Sequence, residues 1–62
     1  MIKEYDIVKS LKDLNDMVFE GCKGTVLFVY PDAQPAYEVE FINDCNETLD
    51  VLTVNSDEIT NV

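Results

Sequence analysis

Arginine, histidine and tryptophan are absent from this sequence. Without histidine there is no imidazole acid, base or metal ligand. Four lysines, Lys3, Lys9, Lys12 and Lys23, stand against 13 carboxylates, and the formal net charge is -9. So few cations cannot build the basic stripe on which phosphate binding rests. Direct nucleic-acid binding and adhesion to an anionic membrane surface are both excluded as expectations. No apolar run approaches the roughly 18 residues of a membrane span. Two cysteines, Cys22 and Cys45, lie too far apart for a CxxC pair and are too few for a four-cysteine zinc site. The opening MIKEYDIVK has no apolar signal-like core, so a cytoplasmic location is expected.

What is present reads as one folded domain over residues 1–62. Hydrophobic residues make up 47% of the chain, far too many for a disordered acidic tail. Turn signals divide the chain into five predicted strands. These are Tyr5–Lys9, Gly24–Tyr30, Ala36–Ile42, Thr48–Val54 and Glu58–Val62. Residues 10–23 are expected as a long loop, with a helical turn as the alternative because Leu11, Leu14, Val18 and Phe19 are loosely helical in spacing.

Ala36–Ile42 alternates most cleanly. Tyr37, Val39 and Phe41 share one face and Glu38 and Glu40 the other, the pattern of a half-buried antiparallel strand. Gly24–Tyr30 is apolar on both faces. Thr48–Val54 changes parity between Leu49/Val51 and Leu52/Val54, which predicts a β-bulge or sharp bend. Strands that bend around one core are expected to form a small, closed, five-stranded antiparallel barrel of SH3-like order.

The stretches Tyr5-Asp6-Ile7-Val8, Lys12-Asp13-Leu14, Gly21-Cys22-Lys23-Gly24-Thr25-Val26, Tyr37-Glu38-Val39-Glu40-Phe41 and Asp57-Glu58-Ile59 resemble a family of short bacterial proteins with SH3-like barrels. That family is catalogued as a domain of unknown function. The resemblance covers nearly the whole chain. More distantly, the chain is similar to the barrel of nitrile hydratase β subunits, to the small stromal subunit of photosystem I and to KOW-type barrels. The resemblance implies a fold and assigns no catalytic residue. Cys22, Cys45 and Phe28 depart from the family's usual pattern.

A hairpin around residues 31–35 places Tyr30 opposite Ala36, so partner numbers between strands two and three should sum to about 66, within about one residue. In this register Leu27 and Val29 share the face of Tyr37, Val39 and Phe41. Val26 and Phe28 then lie outside beside Glu38 and Glu40, an apolar pair ringed by carboxylates; a slip of one residue exchanges the two pairs, so strand two exposes an apolar pair in either register. Either they form a partner or dimer surface, or Val18 or Phe19 folds over them. The same register brings Cys22 near Asp44 and Cys45, as a disulfide or as two unpaired thiols. Residues 44–50 offer oxygens at alternate positions, yet Leu49 stands where a calcium loop needs glycine. Asn46-Glu47-Thr48 is a glycosylation sequon, read here as a turn. Gly21 and Gly24 are expected to serve the turn into strand two.

No motif carries catalytic chemistry, and no cofactor or metal is expected. The sequence points to a non-enzymatic acidic protein-binding module, an inhibitor or antitoxin-like protein masking a basic surface on a bacterial protein. Its expected partner-binding residues are Phe28 as anchor, with Glu38, Glu40, Asp44, Glu47 and Asp50 for charge. The alternative is an accessory structural subunit of an enzyme complex. The expected partner is a protein with a basic surface, with a homodimer as a further option.

Overall fold

The structure, a computed structural model, describes residues 2–62. Its strands are β1 (Ile7–Ser10), β2 (Lys23–Tyr30), β3 (Ala36–Ile42), β4 (Thr48–Asn55) and β5 (Ile59–Asn61). All neighbours run antiparallel in one sheet of order β4-β3-β2-β1-β5. The all-β, five-stranded expectation holds. The ladder does not close: among the described residues no pairing joins β4 to β5, so these are the sheet's two edges. The longest dimension is 33 Å, little more than the about 27 Å of an eight-residue strand.

Residues 10–23 contain no helix; between Ser10 of β1 and Lys23 of β2, residues 11–22 form a loop whose base is tied to the end of β1. Ser10 N–H donates to the Cys22 carbonyl at 2.8 Å, and Gly21 N–H donates to the Ser10 carbonyl at 2.7 Å. The buried Ser10 hydroxyl donates to the Lys12 carbonyl. Gly21 has φ +86°, a conformation that glycine adopts without the Cβ clash. Inside the loop the Asn15 side-chain oxygen accepts from the Met17 and Val18 amides, each at 2.8 Å. These two bonds do the work that a helical ladder would have done, because turn-prone Asp and Asn side chains compete for the backbone.

Two bulges shape the sheet. Between β2 and β3, partner numbers sum to 66 from Phe28 to Tyr30 and to 65 from Lys23 to Val26, with Leu27 as the extra residue. Both sums fall within the expected register, and the one-residue slip it allows occurs inside the hairpin, at Leu27. Between β3 and β4 the register shifts at Phe41/Ile42, leaving Leu49 as the extra residue. This is the irregularity that the parity change predicts, although its position differs. Asp50, Leu52 and Val54 oppose Phe41, Val39 and Tyr37 on the inner face, while Val51 opposes Glu40 on the outer face and is exposed.

The core sits on the inner face and consists of Val8, Val18, Val26, Tyr37, Val39, Phe41, Val54 and Ile59. Val26 is thus buried, contrary to the expected outward pairing with Phe28, because the Leu27 bulge reverses the parity of β2 between them. Val18 is also fully buried, so the long loop caps the inner face; Phe19 stays exposed. Gly24 lies within β2 between Val8 and Phe41, not in the turn before it. Strand one starts at Ile7, later than expected, because Tyr5 has φ +69° in a turn closed by Asp6 N–H to the Lys3 carbonyl.

Candidate functional site

The outer face follows from strand alternation and register. Phe28 pairs with Glu38, which pairs with Thr53. In the next row Ile7, Thr25, Glu40 and Val51 follow one another across four strands. Tyr30 and Ala36 lie beyond. Ile7, Leu27, Phe28, Tyr30 and Val51 are all exposed, Phe28 at 47%. The Phe28 and Tyr30 rings meet edge to face at 5.0 Å between centroids, a favourable aromatic geometry. The result is an apolar field with two carboxylates set into it.

Those carboxylates are held. Glu38 Oε1 accepts from Thr53 Oγ1 at 2.5 Å, and Glu40 Oε2 accepts from Thr48 Oγ1 at 2.5 Å. Both lean from β3 towards β4. Fixed charges lose less rotamer freedom on binding than free ones. Positive charge occupies one corner: Lys9 pairs directly with Lys23 on the β1–β2 ladder. Like charges opposite one another weaken a sheet slightly, so this corner favours an acidic group on whatever covers it.

The six sequence-derived residues divide into three groups. Phe28, Glu38 and Glu40 come together on the outer face. Asp44 and Glu47 are exposed in the β3–β4 turn, where Glu47 Oε1 accepts from Asn43 Nδ2 at 3.0 Å. Asp50 is half-buried on the inner side, with Oδ2 accepting from Asn15 Nδ2 at 2.9 Å. It ties the long loop to β4 and does not share the outer face. Ile7, Leu27, Tyr30 and Val51 were missed. Their signal was available in the strand parity, but only once the two bulges were placed.

The cysteines are both free, Cys22 half-buried and Cys45 exposed. Cys22 Sγ lies 3.4 Å from the Ile42 carbonyl oxygen, in a groove of about 350 Å³ that Lys23 and Asp44 also line. Burial pushes its thiol pKa up, and the Asp44 charge adds to the effect. The thiolate that nucleophilic chemistry needs is therefore disfavoured there. Among the described residues, no three Asp, Glu or Cys side chains converge as a metal site. The oxygens of residues 44–50 diverge, because the bulge at Leu49 and the bond to Asn15 turn Asp50 away from the Asp44–Glu47 turn. No helix among the described residues is long and apolar enough to cross a membrane.

Residues 4–61 match the family model described as a domain of unknown function, DUF4926. The chain belongs to this family. No curated protein and no solved structure matches it. The family match spans all five strands, so the outer face and both bulges lie within the family's domain.

Proposed function

We propose that this protein is a non-enzymatic acidic binding module that masks a basic surface on another protein, in the manner of an inhibitor or antitoxin. The observation that carries the reading is the outer sheet face, where Phe28 sits beside Glu38 and Glu40 within an exposed apolar field. Apolar patches of this kind mark interaction sites. A net charge of -9 steers cationic partners towards it. Asp44 and Glu47 at the turn add to that field without touching the patch. A nucleic-acid-handling enzyme, whose working surface is cationic, is the natural class of target. We further infer an SH3-like barrel as the framework; the strand order β4-β3-β2-β1-β5 and the two strand-bending bulges support it.

The test is capture of a partner from extracts of the source cell with tagged wild-type protein and with Glu38→Gln/Glu40→Gln. The wild type should retain a basic protein at about 50 mM salt and release most of it by about 500 mM, where screening shortens to a few ångströms. The double variant should retain much less at low salt. A partner held equally at both salt concentrations and by both proteins overturns the reading. That outcome favours the second one, an accessory subunit docked through Ile7, Leu27, Phe28 and Tyr30, whose exposure is its support.

A further inference from the structure

The sheet's two edges differ. β5 has three residues, too few to template much pairing. β4 has eight, Thr48–Asn55, with neither proline nor lysine among them. Long, β-prone edges without such blocking residues invite an added strand; the Leu49 bulge and the inward Asp50 guard only the Thr48–Asp50 end, which leaves Val51–Asn55 open. The inner side of β4 pairs with β3 from Thr48 to Asn55 except at the Leu49 bulge. Its outer side is partly closed by carboxylates of the same chain. Val51 N–H donates to Asp50 Oδ1 at 2.8 Å, and Asn55 N–H donates to Glu58 Oε1 at 2.8 Å. Amides two residues apart point to the same side of a strand, so Thr53 N–H faces the same edge between these two capped positions.

The caps are anionic, Glu58 sharing its charge with Lys12 Nζ at 3.6 Å, and so are the nearest groups on the outer face. The Glu38 and Glu40 carboxylates lean onto β4 through Thr53 and Thr48. An uncharged strand has to displace Asp50 and Glu58 without recompense. A strand bearing cations offers those carboxylates new partners as it frees the amides. A second copy of this chain arrives with its own charge of -9 and is repelled.

We propose that the free edge of β4, centred on Thr53, receives an extended lysine- or arginine-bearing segment of a protein partner as a sixth strand. Main-chain bonds at Thr53 supply the pairing, and the carboxylates of Asp50, Glu58, Glu38 and Glu40 select for cationic side chains. An added strand lies about 5 Å from β4, so its outward side chains stand next to Val51 and Thr53, within reach of the leaning glutamates. This strand-addition mode has main-chain affinity and side-chain specificity as separate contributions. The inference rests on the proposed function, because it specifies how a basic partner is engaged.

The experiment uses the full chain, two-dimensional amide NMR and three synthetic peptides of about eight residues, the length of β4. One alternates valine with lysine, one alternates valine with glutamate, and one is the lysine peptide N-methylated at alternate residues on the pairing edge. The lysine peptide should shift the β4 amides and slow exchange at Thr53 by about tenfold or more. N-methylation should remove the effect, and the glutamate peptide should show none. Thr53→Pro, which removes the outward donor at a position where an edge strand accepts proline, should weaken the lysine peptide at least about tenfold. No binding of the lysine peptide, or binding that leaves Thr53 exchange unchanged and ignores N-methylation, overturns the edge proposal. Salt-sensitive capture of a basic partner that survives Thr53→Pro also overturns it and leaves the basic-partner reading standing. Equal binding of lysine and glutamate peptides counts against both.

Discussion

Gly24 gives the sharpest test of how this sheet packs. It lies inside β2, paired with Val8 on one side and Phe41 on the other. Glycine weakens a strand interior, so its presence there marks a close approach. A Cβ at this position would stand 2.7 Å from Val39 Cγ1, 2.9 Å from the Glu40 carbonyl oxygen and 3.0 Å from Phe41 Cδ1. Two of these neighbours are fully buried side chains and the third is backbone of β3, a strand paired on both sides. None is the free end of a flexible chain. Forcing an extra methyl into such packing costs about 1–3 kcal/mol, while lower unfolded-state entropy returns about 0.4–1 kcal/mol. Gly24→Ala should therefore destabilise by roughly 1–2 kcal/mol, a large share of the roughly 3–5 kcal/mol available to a domain of this size. Urea denaturation followed by circular dichroism reads this as a lower midpoint with an unchanged slope. Val39→Ala removes the closest clashing atom. The double variant should lose about 1 kcal/mol less than the sum of the singles, a coupling of the size expected for residues in contact. A neutral or stabilising Gly24→Ala would refute the close approach. Strict additivity would refute the assignment of the clash to Val39.

Asp6 Oδ2 accepts from the Lys3 amide and from Asn61 Nδ2, and these bonds hold its carboxyl pKa below the ordinary 3.8. A depressed folded pKa contributes stability that is complete above the unfolded value and lost as pH falls through the folded one; the midpoint difference between wild type and Asp6→Asn should therefore be constant above about pH 5 and shrink below about pH 4. Alkylation followed by mass spectrometry should modify the exposed Cys45 well before Cys22, whose thiol is held protonated by burial and by Asp44; equal rates would contradict that environment. Asn15→Ala removes two loop-closing acceptor bonds and the bond to Asp50; at about 1 kcal/mol net per bond it should cost roughly 2–3 kcal/mol by urea denaturation. Asp50→Ala should cost about 1 kcal/mol by the same measurement, through the lost bond from Asn15; an unchanged urea midpoint would contradict the tie between the long loop and β4.

β3 was legible because it is central and two-sided: apolar Tyr37, Val39 and Phe41 alternate with Glu38 and Glu40, and the structure keeps that alternation without interruption. The loop after strand one was legible from its Asp, Asn and Gly content, although the buried role of Val18 was not. Isolated apolar residues in a loop carry no period, so nothing marks which of Val18 and Phe19 turns inward. The failures share one cause. A bulge inserts a single residue and reverses which side chains face the core, and a strand that is apolar on both sides conceals where that happens. Val26 was misplaced by the bulge at Leu27. The inward position of Asp50 follows from the bulge at Leu49, which separates Leu49 from the parity of Leu52 and Val54.

The bulge at Leu27 also decides which residues form the outer apolar site. Had the register between Lys23 and Val26 continued through the hairpin, Phe28 would oppose Tyr37 and turn into the core, and Val29 would emerge beside Ala36. The extra residue instead keeps Val26 and Val29 both on the inner side and turns Phe28 out against Glu38. A residue that adds nothing to the ladder thus converts a core-sized phenylalanine into a surface anchor. Leaving an aromatic exposed gives up roughly 1.5–3 kcal/mol of burial, in a domain with little stability to spare. The bulge sets the half-exposed ring beside a fixed carboxylate, and this is the pairing that the proposed interface uses. That pairing is the strongest structural reason to look for the partner on the outer face.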